Sequence, residues 1–131
     1  YRRQRQMCIR DRDLTTMAGG ARWCIQTIIE RFPECRGFLC TPIQSGSVSH
    51  NDLNLKKIAV LREICNAFSV PVIDCYSECG IKAEDEVWEE RGRYLKDGLH
   101  PDVEGQQLMG QYIAKKIQDY LTVVLCSKSL L

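Results

Sequence analysis

Apolar residues recur at intervals of three and four between Leu14 and Phe32, where Met17, Ala21, Ile25, Ile28, Ile29 and Phe32 share one face. The spacing predicts a helix over 14–32, capped by Thr15 or Thr16, with its first turns weakened by Gly19 and Gly20, and ended by Pro33. Gly37-Phe38-Leu39-Cys40-Thr41 is short, apolar and closed by Pro42, which fits a buried strand. After the polar run 42–52, Asn51 or Asp52 can cap a second helix reaching about Phe68. Its inner face would be Leu55, Ile58, Leu61, Ile64, Cys65 and Phe68. Val70 to Asp74 reads as a second strand with Pro71 at its start or on an edge. The segment 75–99 offers one short helix over 83–89. A last helix opens near Pro101 and presents Val103, Leu108, Met109, Tyr112, Ile113, Ile117 and Tyr120.

Strands alternating with helices imply parallel pairing through right-handed crossovers. Two strands are too few for a covered parallel sheet, so this order predicts further strands upstream. Residues 14–121 carry the periodic pattern, and 122–131 form a tail without an assigned element. Residues 1–13 form a basic arm of five arginines against two aspartates. With no apolar period, the arm is expected to be disordered. Its stretch Arg5-Gln6-Met7-Cys8-Ile9-Arg10-Asp11-Arg12 resembles translated adapter DNA, and the chain starts at Tyr1. We read it as standing in place of lost native sequence.

Composition changes this picture little. The 131 residues are 44% hydrophobic and 27% charged with net charge +1, ordinary for a globular domain and not a nucleic-acid binder. No apolar run approaches a membrane span. Of eight cysteines, Cys24, Cys40 and Cys65 fall in apolar runs and read as buried free thiols, which favours a reducing compartment. Spacing supports neither a zinc knuckle at Cys75/Cys79 nor a metal set using His50 and His100, so no cofactor is expected.

The chemistry concentrates in Lys96-Asp97-Gly98-Leu99-His100-Pro101-Asp102. An Asp three residues before a His can reach back to an imidazole nitrogen, fix its tautomer and leave the other nitrogen as a base. Both residues follow the second strand, on the rim where parallel α/β folds bind ligands. Asp102 and Glu104 suit the first turn of the last helix as caps. Asp74 fits a turn or capping role, Trp23 and Trp88 fit packing, and His50 fits a loop that borders a substrate. Ser45, Ser47 and Ser49 lie on the same rim, but Gln44-Ser45-Gly46-Ser47 lacks the sharp turn that exposes a nucleophile.

Asp97-Gly98-Leu99-His100-Pro101, with Gly105 and an amphipathic closing helix, resembles the final motif of the SGNH/GDSL hydrolases. Phe32-Pro33, Thr41-Pro42 and Val72-Ile73-Asp74 precede it in a similar order. The resemblance implies the C-terminal part of a flavodoxin-like three-layer α/β/α sandwich with parallel strands. It also implies hydrolysis of a small-molecule or carbohydrate ester, with His100 as base and Asp97 orienting it. The family's Gly-Asp-Ser turn and its oxyanion-hole motifs have no match here, so this segment alone is expected to be inactive. The alternative is a non-catalytic flavodoxin-like binding or signalling module.

Overall fold

Thr16 starts the first helix by accepting a hydrogen bond from Gly19 N at 3.0 Å, and Met17–Arg31 (α1) follows. The computed structural model describes residues 13–83 and 92–129, with side chains through 122. Next come Leu39–Cys40 (β1), Val48–Ala67 (α2), Val72–Ile73 (β2), Cys75–Glu78 (α3) and Val103–Ser129 (α4). The expected short helix over 83–89 and the arm at 1–12 lie outside the described residues.

The expected three-layer α/β/α sandwich is not formed. Among the described residues the chain is mostly helical, and its only sheet is one pair of two-residue strands. Leu39 N donates to Pro71 O and Thr41 N to Ile73 O, each at 3.0 Å, a parallel register. Pro71 stands just before β2 and serves only as an acceptor, the role left to a residue without an N–H. One pair of such strands supplies no sheet face for helices to cover.

The described residues divide into two compact units, 13–39 with 55–72, and 40–54 with 73–83 and 92–129. In the first, Ile58, Ile64 and Cys65 of α2 are buried. Arg22 is also buried, its guanidinium 5.2 Å from the centre of the Phe68 ring. The apolar stripe of α1 is not buried as its period suggests: Met17, Ile28, Ile29 and Phe32 keep 42–57% of their surface exposed. Leu55, expected on the inner face of α2, is exposed as well.

The second unit packs around Ile73, Cys75, Cys79, Ile81 and Leu95. Tyr112 of α4 donates its hydroxyl proton to Glu78 of α3. Burial, then the Glu78 carboxylate, raises the Tyr112 phenol well above its ordinary value. A Cβ on Gly80, whose φ is +97°, would stand 3.1 Å from Leu108 Cδ2, so this turn closes tightly on α4. Val103, expected on the inner face of α4, is exposed. The helix itself continues through Ser129, beyond the predicted end near Leu121.

Six described cysteines are free thiols. Cys65, Cys75 and Cys79 are buried, while Cys24 and Cys40, expected inside, are exposed together with Cys35. Burial, with Cys40 and Cys79 nearby, pushes the Cys75 thiol up to about 12. Site-resolved alkylation at neutral pH should therefore modify Cys24, Cys35 and Cys40 well before Cys75; comparable rates would contradict this packing. Leu95→Ala removes a fully buried side chain and should lower stability by about 2–5 kcal/mol in a denaturant titration.

Candidate active site

The segment between buried Leu95 and α4 is held almost entirely by its own backbone and one carboxylate. Gly98 N donates to Leu95 O at 2.9 Å, and Gly98 adopts φ +77°, a left-handed conformation that glycine takes without strain. The turn aims the Asp97 carboxylate along the following residues. Its Oδ1 accepts Leu99 N at 2.9 Å and His100 N at 2.7 Å, and its Oδ2 lies 2.6 Å from His100 Nδ1. A proton on Nδ1 makes that last contact a donor–acceptor pair, which leaves Nε2 as the basic nitrogen. The backbone N–H of His100, then its ring, then the N–H of Leu99 hold the Asp97 carboxyl well below the usual carboxylate range.

The far end of the segment is closed by the start of α4. Asp102 caps the helix, its Oδ1 accepting Gly105 N and its carbonyl accepting Gln106 N, both at 2.8 Å. Asp102 N in turn donates to Tyr94 O at 2.7 Å. A Cβ on Gly105 would meet Tyr94 O at 3.0 Å and Pro101 Cβ at 3.1 Å, so glycine permits this approach. His100 is therefore fixed from both sides, although its side chain and that of Asp97 are 77% and 56% exposed. At that exposure the pair is screened by water, and its consequence is ring orientation rather than stability.

A second loop from the same unit meets this one. Gly46 N donates to Gly98 O at 2.9 Å. Ser45 is buried, with its N–H at 2.8 Å and its Oγ at 3.2 Å from Asn51 Oδ1, while Asn51 Nδ2 donates to Ser45 O at 2.8 Å. Asn51 is thus not the helix cap. Helix α2 begins four residues earlier than that reading required, and Ser47 caps it, accepting His50 N on its side chain and Asn51 N on its carbonyl. Gln44 joins Tyr76 O and Ala83 N, and Thr41 Oγ1 receives Tyr76 N at 3.0 Å. Asp74 accepts Ser77 N at 3.0 Å and caps α3.

The two loops, the first turns of α2 and one side of α4 border an open cavity of about 440 Å³. It is lined by Thr41, Pro42, Ile43, Ser45, His50, Asn54, Leu99, His100, Pro101 and Met109. His100 and His50 both face it, and Asp97 stands behind His100. The Ser45 hydroxyl is engaged with Asn51, and those of Ser47 and Ser49 lie 3.2 Å from each other. None of the three hydrogen-bonds His100 among the described residues. Trp88 lies outside the described residues, and Trp23 is exposed on α1. No group of three or more His, Cys, Asp or Glu among the described residues could hold a metal ion. No described helix is long and apolar enough to cross a membrane. The sequence suggested only a capping role for Asn51 and none for Asn54. The available signal was the i, i+4 spacing of His50 and Asn54, legible only once the helix start is placed at Val48.

No known family profile matches the chain, and no curated protein does. A solved crystal structure is similar to it at 27% identity and a TM-score of 0.66, over 77% of this chain and 51% of that one. The chain thus spans about half the length of that structure. The likeness concerns the backbone path and brings no activity with it.

A carboxyl of depressed pKa keeps its interaction above its unfolded value and loses it as pH falls through the folded value. The Asp97–His100 contact should therefore persist from neutral pH to below about pH 3.9, the ordinary carboxyl value. A carbon-detected NMR titration of Asp97 with a midpoint at or above that value would contradict the geometry. Gly98→Ala forces a left-handed alanine and should lower stability by roughly 1–2 kcal/mol, with broadened His100 ring resonances.

Proposed function

We propose that this chain carries the base half of a serine ester hydrolase of the SGNH/GDSL type. The observation that supports the reading is the 2.6 Å contact between Asp97 Oδ2 and His100 Nδ1 at the edge of a cavity. Nε2 of His100 has no hydrogen-bond partner among the described residues. It would accept the proton of an attacking serine hydroxyl while Asp97 keeps Nδ1 protonated and the ring oriented. The imidazolium then returns that proton to the leaving alcohol, and an acyl-enzyme forms. Water, deprotonated by the same Nε2, releases the acid and restores the serine.

The nucleophile and the oxyanion donors are assigned to polypeptide outside these 131 residues. Ser45 is buried and bonded to Asn51, which argues against it as the nucleophile. The exposure of the dyad is consistent with this division, because the orienting aspartate of a working serine triad is buried.

The complete gene product should hydrolyse p-nitrophenyl acetate and be labelled by a fluorophosphonate at a serine upstream of Leu14. This chain alone should do neither beyond the background of free imidazole. His100→Ala in the complete product should lower kcat by about a thousandfold or more with little change in KM. Labelling that survives His100→Ala, or that falls on Ser45, Ser47 or Ser49, would sink the reading.

A further inference from the structure

The cavity beside His100 contains an amide that the proposed mechanism leaves unused. Asn54 is only 5% exposed, lines the cavity, and has no hydrogen-bond partner among the described residues. A side-chain amide at the wall of a pocket bonds water until a ligand group takes the water's place. Neighbouring Asn51 differs, with both of its side-chain polar atoms engaged by Ser45. Asn54 has no fully buried unpaired atom, so the little surface it keeps includes its carboxamide, which meets the cavity.

The rest of the lining narrows the occupant. Pro42, Ile43, Leu99 and Met109 make an apolar wall, and no Lys, Arg, Asp or Glu lines the space. A charged ligand would gain no counter-charge from this lining, whereas an apolar chain would gain contact with the wall. The volume, about 440 Å³, lies at the small-molecule end of ligand cavities. His50 and Asn54 stand four residues apart on one face of α2, so both reach the same wall.

We infer that Asn54 is a substrate-binding residue: its carboxamide hydrogen-bonds a neutral carbonyl or hydroxyl of a small ester whose short apolar chain lies against Pro42, Ile43, Leu99 and Met109. The assignment of an ester rests on the hydrolase reading above. It selects neutral esters of a few carbons and disfavours anions such as the free acid product.

Titration of ethyl butyrate, and separately of butyrate, into the isotope-labelled chain at neutral pH tests this. Ethyl butyrate should shift the Asn54 side-chain amide resonances, and butyrate should bind about tenfold more weakly or not at all. Asn54→Leu, similar in volume, should weaken ethyl butyrate by roughly three- to tenfold. Met109→Trp, which fills the cavity, should abolish its binding. If Asn54→Leu fails to fold by circular dichroism, the wild-type amide shift and Met109→Trp decide. An Asn54 resonance unmoved by saturating ester, or equal affinity for ester and butyrate, overturns the inference. His100→Ala in the complete product reports on the other proposal. Hydrolysis lost there with a silent Asn54 amide removes this subsite alone, whereas undiminished hydrolysis with a responsive amide removes His100 as the base alone.

Discussion

One carboxylate organises the chemistry of this chain. The two oxygens of Asp97 do different work: Oδ1 gathers the backbone N–H groups of Leu99 and His100, and Oδ2 meets the His100 ring. Backbone and side chain are thereby fixed by the same group. The imidazole turns away only by giving up its bond to Oδ2. Gly98 makes this possible, because the left-handed conformation between Asp97 and Leu99 folds the chain back over the carboxylate. Charge-assisted hydrogen bonds of this kind favour the ionised form, which is why the strongest influence on the Asp97 pKa is a backbone N–H rather than the imidazole.

Around that turn, polar groups replace the sheet as the scaffold. The loop after β1 is held by the reciprocal bonding of Ser45 and Asn51, by Gln44 reaching Tyr76 and Ala83, and by Gly46 bonding Gly98. The buried side chains of this network, Ser45 and Asn51, are occupied by each other. Such networks specify one arrangement because an unpaired member is costly. The pairing of Ser45 with Asn51 also brings the first turns of α2 to the cavity, and so determines where His50 and Asn54 stand.

The sequence made local elements legible and tertiary burial much less so. The helix before Pro33, the two short strands and the helix after Pro101 are written in period and punctuation, and each is present, although the last helix runs eight residues past its expected end. The Asp97–His100 contact was legible too, since three residues around a glycine leave few other places for the carboxylate. The start of α2 was misplaced because Ser47, Asn51 and Asp52 are all good caps, and only tertiary demand on Asn51 decides among them. The sandwich was expected from family resemblance, but the strand-forming residues of this chain make one ladder two residues long on each side. The α1 face illustrates the same limit: a perfect apolar stripe fixes the helix, yet Arg22 and Gly19 are its buried members.

The exposure of the dyad bears on how it would act as a base. A carboxylate orders an imidazole at any dielectric, but its electrostatic support for the imidazolium scales inversely with the dielectric around the pair. Moving from bulk water, about 80, to the effective value of about 20 near protein strengthens that support roughly fourfold. With Asp97 and His100 largely in water, the chain holds the orientation already and lacks the exclusion of solvent. An apolar ester seated against Leu99 and Met109 would supply part of that exclusion at the moment of reaction, since both residues share the cavity with His100. Substrate binding and base strength would then be coupled through the same wall, and short neutral esters would be favoured over water-retaining, charged ones for a reason that lies in the dyad as much as in Asn54.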